Sequence, residues 1–182
     1  GHETQLPALY IADSRNNQIR RVDGISGAVT SVAGTGVLGF SGDGGLATAA
    51  RLASPSAVVA DRNGNLYIAD QNNNRVRRVS SRGTITTVAG TGTFGYSGDG
   101  GLAASAALAS PTSIDVDDAG NVYIADRYNY RIRRVTPQGI IDTVAGNGTY
   151  NPQNPAGDGG LATKAQLGVP TGVVAAADGS LY

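Results

Sequence analysis

The sequence predicts an all-β chain folded as a β-propeller, and three observations carry the prediction. One unit recurs: Leu9-Tyr-Ile-Ala-Asp13 returns as Leu66-Tyr-Ile-Ala-Asp70, as Val122-Tyr-Ile-Ala-Asp126 and as a final Leu181-Tyr182, at steps of 57, 56 and 59 residues. Repetition at such a period marks an array of supersecondary units, none of which buries its apolar face alone. Each unit also holds four short strand-forming runs separated by turn residues, and four antiparallel strands joined by tight turns make one propeller blade. The third observation is compositional: 40% hydrophobic residues and 27 glycines fit short strands and many turns, not disorder.

In chain order, Gly1–Ala8 reads as an N-terminal extension, its Gly-His-Glu start a candidate tag remnant. The rest, 9–182, is one propeller-type domain. The first blade (9–55) begins at its second strand and supplies Leu9–Asp13, Gln18–Asp23 and Ala28–Ala33. The second blade (56–111) is complete. Its first strand, Ser56–Asp61, is apolar at Val58 and Val59 and ends in Asn63-Gly64, a strong hairpin turn signal. Leu66–Asp70 follows, then Asn72-Asn-Asn74, which tolerates left-handed backbone, then Arg75–Ser80 and the β-branched Thr84–Ala89. The connection Gly90–Ala109 contains Gly98-Asp-Gly-Gly101, where Asp99 is expected to cap a short helix over Leu102–Leu108 that Pro111 stops. Asp43 and Asp158 hold the same place in their copies, each 12 residues ahead of a proline, Pro55 or Pro170. The third blade (112–170) repeats the plan. Thr171–Ala176 is then a lone first strand, followed by the Leu181-Tyr182 stub. Two places break the register, one extra residue near Ser26-Gly27 and three in Tyr150–Pro155, and both lie between strands, where insertions are tolerated.

The run Gly64-Asn-Leu-Tyr-Ile-Ala-Asp70, followed by Asn73-Asn-Arg-Val-Arg77 and Val88-Ala-Gly90, resembles the NHL repeat of bacterial NHL-repeat proteins, over Pro7 to Tyr182. The resemblance implies a β-propeller, most often of six blades. The unit here is longer than usual, with the excess in the Gly-Asp-Gly-Gly connection. The resemblance also implies two alternatives to simple binding. Some six-bladed relatives are lyases, hydrolases or lactonases that use histidines, or acidic clusters with a bound metal, near the axis; other NHL domains bind RNA.

Composition narrows these classes. Fourteen basic and 14 acidic side chains leave no net charge, so nucleic acid is not the expected partner. No apolar run approaches the roughly 20 residues that span a bilayer, and the N-terminus lacks a basic-then-apolar signal layout, so no membrane contact is expected. Cysteine is absent, which removes disulfides, thiolate nucleophiles and zinc-thiolate sites but does not fix the compartment. The single histidine, His2, lies outside the repeats, and Asp115 with Asp117 form a lone carboxylate pair without nucleophile, base or metal shell. No cofactor, metal or catalytic residue is expected.

The strands total twelve, three blades' worth, whereas propellers close with about 4 to 8 blades. An open arc leaves apolar faces and a strand edge in water. The sequence therefore suggests a six-bladed homodimer closed by strand exchange, with Thr171–Ala176 of each chain serving as the innermost strand of the partner's first blade. A fragment of a longer propeller is the other reading. Leu181-Tyr182 competes with the partner's Leu9-Tyr10 for one sheet position, so this tail is expected to be displaced or frayed.

The expected binding face is the rim that carries the turns between second and third strands, 13–18, 70–75 and 126–131, together with the three Gly-Asp-Gly-Gly loops. Asp70 with Arg75, and Asp126 with Arg131, read as cross-turn ion pairs that hold the hairpins; Gln18 denies Asp13 such a partner. Asp43, Asp99 and Asp158 each stand alone in their loops, too few for a calcium ion that wants about 6–8 oxygens, so capping is the better account. The doublets Arg20-Arg21, Arg77-Arg78 and Arg133-Arg134 each split between two strand faces, which favours packing and ion pairs with neighbouring blades over a phosphate stripe. Positions that break the symmetry between copies carry the functional signal. In the third copy the rim reads Arg127-Tyr128-Asn129-Tyr130 and the longer loop adds Tyr150, an aromatic, Asn and Arg mix typical of recognition surfaces; with Arg15, Asn16 and Asn72 of the other copies, Arg127, Tyr128, Tyr130 and Tyr150 are the candidate ligand-binding residues. Phe40, Phe94 and Tyr96 are expected to pack under the long loops. The ligand this suggests is a protein or a small polar molecule such as a carbohydrate; a bare scaffold role is the minimal reading.

Overall fold

A computed structural model describes residues 8–150 and 156–182. The proposed N-terminal extension (apart from Ala8) and the insertion at 151–155 lie outside them. The first sheet holds β1 (Leu9–Asp13), β2 (Gln18–Val22) and β3 (Val29–Ala33). The second holds β4 (Ala57–Ala60), β5 (Leu66–Asp70), β6 (Arg75–Val79) and β7 (Ile85–Ala89), and the third holds β8 (Pro111–Val116), β9 (Val122–Asp126), β10 (Arg131–Val135) and β11 (Ile141–Ala145). In each sheet the strands pair antiparallel in chain order. This is the all-β, propeller-type arrangement the repeat predicts.

The second sheet is buried on both faces. Along β5, Leu66 and Ile68 enter a core with Ile19, Ala33, Ala47, Leu52 and Ile85, between the first and second sheets. Ala69, one residue out of phase, enters the next core with Val76, Ala103, Leu108, Ile114, Ile124 and Ile141, between the second and third. Strand alternation thus assigns each side chain to one of two junctions. Full burial of an Ile or Leu contributes about 1.5–3 kcal/mol, so these two cores hold the array together.

The Val-Ala-Gly motif has a mechanical origin. The ladder slips between Ile19 and Arg20, between Val76 and Arg77, and between Ile132 and Arg133, so one outer-strand residue per sheet is bulged out. The glycine after it turns with φ near +90° at Gly34, Gly90 and Gly146, where a Cβ would come within 2.3 Å of the carbonyl oxygen of residue 17, 74 or 130. No other residue fits there.

Two expectations are corrected by the long connections. The helices foreseen after Gly-Asp-Gly-Gly are single 3-10 turns, Ala47–Ala49, Ala103–Ser105 and Ala162–Lys164, with no side-chain cap. The loops also leave the turn rim and lie along the outer strand of the following sheet: Gly44 N donates to Ile85 O, Ile85 N to Gly45 O and Ala47 N to Gly83 O, and the second loop repeats this on Ile141 and Gly139. Backbone pairing with the neighbour outcompetes the helix, whose alanine-rich stretch is too short to nucleate alone.

The last copy forms a hairpin rather than an independent strand. Val174 and Tyr182 exchange both backbone hydrogen bonds at 2.9 Å. Leu181-Tyr182 is therefore paired, not frayed, because its own Asp178-Gly179 turn returns it beside Val174.

Candidate functional site

The turns between second and third strands are one 3-10 turn each, Ser14–Asn16, Gln71–Asn73 and Arg127–Asn129, closed by a left-handed residue, Asn17, Asn74 or Tyr130. Asn is suited to that conformation and Tyr is not. Asn17 and Asn74 also work with their side chains: their Oδ1 atoms accept the N–H of Ser54 and Ser110 at 3.0 and 2.9 Å, pinning the following connection. In the third copy Tyr130 replaces the asparagine and offers no such acceptor, so this bond is absent there.

The charged residues of the rim are spent on structure, with partners other than those foreseen. Asp70 pairs with Arg77, not Arg75, at 3.3 Å, and Asp126 pairs with Arg133 at 3.3 Å. All four side chains are fully buried. Asp70 accepts further hydrogen bonds from Ala53 N at 2.7 Å and Asn73 Nδ2 at 2.8 Å, and Asp126 from Ala109 N and Asn129 Nδ2, both at 2.7 Å. Burial pushes both carboxyls above the ordinary aspartate value, against these donors. Arg75 instead donates to the carbonyls of Asn73 (3.1 Å) and Thr91 and lies 3.7 Å from the centre of the Phe40 ring. Arg131 does the same with Asn129 and Asn147 under Tyr96, at 3.8 Å. Asp70 and Arg75 sit opposite each other in the ladder, but the diagonal Arg77 reaches the buried carboxylate while Arg75 runs outward to cap the turn.

Asp43 and Asp99 are likewise not caps. Each reaches across to the next sheet, Asp43 to Arg77 and Asp99 to Arg133, both at 2.6 Å. Their second oxygens take Thr87 Oγ1 at 2.7 Å and Tyr96 Oη at 2.8 Å. One buried arginine per junction thus joins an aspartate of its own sheet to an aspartate of the preceding connection, as the split doublets suggested. Desolvation raises the Asp99 pKa, but hydrogen bonds from Thr143, Tyr96 and Arg133 outweigh it and the net shift is downward. Asp158, in the third loop, is exposed. In the first sheet Asp13 meets Arg20 at 3.7 Å, with both side chains partly exposed, and Asn16 donates to the same carboxylate at 2.9 and 3.0 Å.

What remains open to a ligand is aromatic and concentrates on the third sheet. Tyr128 stands 5.9 Å from Phe94, centroid to centroid, with the Arg127 guanidinium 4.9 Å over its ring. Tyr130 stacks on Tyr150 at 5.2 Å and 10°. Phe94 is 60% exposed and Tyr150 49%, so Phe94 belongs to this surface and does not pack under its loop. Sequence reasoning missed it, although Leu38, Phe94 and Tyr150 occupy one repeat position, two residues after Gly36, Gly92 and Gly148. Phe40 and Tyr96 lie face-on over arginines. The other rim residues stand apart from the cluster: Arg15 is exposed on the first turn, and Asn72 donates to Ser54 Oγ at 2.9 Å.

The carboxylate pair near the axis is also committed. Asp115 accepts the N–H of Ala175 at 2.8 Å, and Asp117 accepts Asn121 N and Nδ2 and Tyr123 Oη to hold the β8–β9 turn. Among the described residues no three His, Cys, Asp or Glu side chains gather into a metal-sized group.

Comparison with known proteins places this architecture. The profile of the Teneurin NHL domain matches residues 4–80 and 92–156. Human Teneurin-4 is 38% identical over 97 residues, 46% of this chain and 4% of Teneurin-4. The chloroplastic protein SUPPRESSOR OF QUENCHING 1 of Arabidopsis thaliana is 35% identical over 71 residues, 39% of this chain and 6% of that protein. The chain thus spans a small part of the curated relatives it matches. Among solved structures, a structural genomics protein of unknown function from Bacteroides thetaiotaomicron superposes with a TM-score of 0.66 at 27% identity, covering 91% of this chain and 38% of that one.

Proposed function

This chain belongs to the Teneurin NHL domain family, and from that premise we propose that it is a non-catalytic binding module whose ligand face is the turn rim of the third sheet. The observation that carries this is the asymmetry of the rim. Two copies close their turn with an asparagine that pins the next connection; the third gives up that bond, places Tyr130 in a left-handed conformation and builds exposed aromatic pairs instead. A left-handed tyrosine in place of a left-handed asparagine is the kind of strain found at binding sites. Exposed Tyr and Phe beside Arg127 supply the rigid, amphipathic contacts that dominate recognition surfaces, for a protein or a carbohydrate. The committed charges elsewhere argue against an RNA-binding rim, since Arg75, Arg77, Arg131 and Arg133 all face carbonyls, carboxylates or rings.

The test is a glycan array and a panel of immobilised proteins, probed with the wild-type chain and with Tyr128→Ala/Tyr150→Ala. Binding by the wild type that drops at least tenfold in the variant, with an unchanged urea midpoint, supports the reading. Binding that survives in the variant places the ligand elsewhere and overturns it.

A further inference from the structure

We infer that the groove between the second and third sheets, at the β8–β9 and β10–β11 turns, is a second binding site that takes a carboxylate carried on a small apolar body. It lies on the rim opposite Tyr128 and Tyr130. A tyrosine faces an arginine across the ladder in all three sheets, Tyr10 with Arg21, Tyr67 with Arg78 and Tyr123 with Arg134. Two of these arginines are neutralised within their own sheet. Arg21 meets Asp23 at 3.3 Å, and Arg134 gives Nε and Nη2 to Asp142 at 3.1 and 2.6 Å. In the second sheet Ser80 and Thr86 stand where Asp23 and Asp142 stand in the others. Arg78 therefore has no ion-pair partner among the described residues, although its side chain is partly buried and its Nε is shut off from water without a bond.

This cation sits in a groove and not in open solvent. A cavity of 240 Å³ is walled by Val88 of β7 and by Val122, Val135 and Pro137 of the third sheet, with Tyr67 and Arg78 on its remaining side. Burial pushes the Tyr67 phenol above its ordinary value, against the pull of the Arg78 charge, as expected of a partly desolvated place. The carboxylates of the flanking turns are committed elsewhere. Asp61 accepts Asn63 N, Asn65 N and Asn65 Nδ2, Asp118 pairs with Arg62 at 2.5 Å, and Asp117 holds its own turn.

The chemistry of the occupant follows from these neighbours. A guanidinium matches a carboxylate with two parallel hydrogen bonds, and apolar walls strengthen the pair. The flanking copies give the same arginine that same partner, which favours a carboxylate over a phosphate. The valines, Pro137 and the Tyr67 ring call for an apolar body beside the charge. The cavity is smaller than the roughly 300–1,000 Å³ of drug-sized sites, so the occupant is a small organic acid or one acidic side chain of a peptide. The equivalent groove at the first junction, lined by Tyr10, Val32, Leu66 and Val79, is an internal control, because Asp23 already holds its arginine.

The test is an NMR shift titration of the labelled chain at constant ionic strength. The probes are benzoate, its neutral analogue benzamide, and an N-acetylated, C-amidated Asp-Phe dipeptide. Saturable shifts at Arg78 Nε, Val88 and Val122 are expected with an acid and not with benzamide, while Tyr10 and Val32 stay in place. Shifts with benzoate alone identify a free acid as the source, and shifts with the dipeptide alone identify an acidic peptide. Arg78→Gln is expected to weaken binding at least about tenfold, and so is Thr86→Asp, which supplies within the sheet the partner that Asp142 gives Arg134. Absence of a saturable shift with either acid overturns the inference. So do equal shifts with benzamide or at the first groove, and unchanged affinity in either variant, each shown to be folded by its urea midpoint.

Discussion

Replacing Asp126 by alanine tests how the junctions are built. The carboxylate is fully buried and accepts Ala109 N, Asn129 Nδ2 and Arg133 Nη1. Its removal leaves a fully buried guanidinium with half its charge partners and an amide N–H with none. Breaking a buried ion pair from one side costs about 3–5 kcal/mol, a figure that already includes the orphaned donors. Asp99→Ala removes the other carboxylate from the same arginine, but that side chain is 32% exposed, so water replaces much of the loss and about 1–2 kcal/mol is expected. Urea unfolding at pH 7 reads both from the midpoint at constant slope. For a chain of this size the Asp126 variant should melt roughly 6–20 °C lower. Equal losses for the two variants, or a loss below about 1 kcal/mol for Asp126→Ala, would refute the assignment of Asp126 as the buried anchor.

Three further outcomes follow from the same contacts. In carboxyl NMR titrations Asp126 is expected to titrate above 3.8 and Asp99 below it. The signs differ accordingly: the Asp126 contribution is complete below 3.8 and fades as pH rises through its folded value, whereas that of Asp99 is complete above 3.8 and fades as pH falls through its own. Gly90→Ala places a Cβ 2.3 Å from Asn74 O at φ +93°, and should lose at least about 2 kcal/mol, while Gly100→Ala, at φ +80° with open space around it, should lose about 1, both read from urea midpoints. Tyr130→Asn relieves about 1 kcal/mol of left-handed strain and forfeits a stack worth about 0.5–1.5, so its stability should stay within about 1 kcal/mol of wild type while rim binding falls.

The strands and their order were legible because β-branched runs, Asn-Gly turns and the period leave few alternatives. The partners of the charges were not. Alternation and pairing place Asp70, Arg75 and Arg77 on one face of the sheet, but only the packed neighbour decides that Arg77 turns to Asp43 and Asp70 while Arg75 caps the turn. Asp99 looked like a cap because Gly-Asp-Gly-Gly precedes an alanine-rich run; the run makes one 3-10 turn, since Ala103 N finds Gly139 O on the next sheet. The tyrosines of the third copy were visible as breaks in symmetry, whereas Phe94 read as a residue packed under its loop because Leu38 and Tyr150 hold the same position.

The most direct measurement of how the sheets are joined is amide hydrogen exchange at Gly44, Ile85 and Ala47, and at their repeats Gly100, Ile141 and Ala103. Each of these amides bonds across the junction between one connection and the next sheet, so the account predicts that all six are protected to a similar degree. Free exchange at Gly44, Ala47, Gly100 and Ala103 would contradict it.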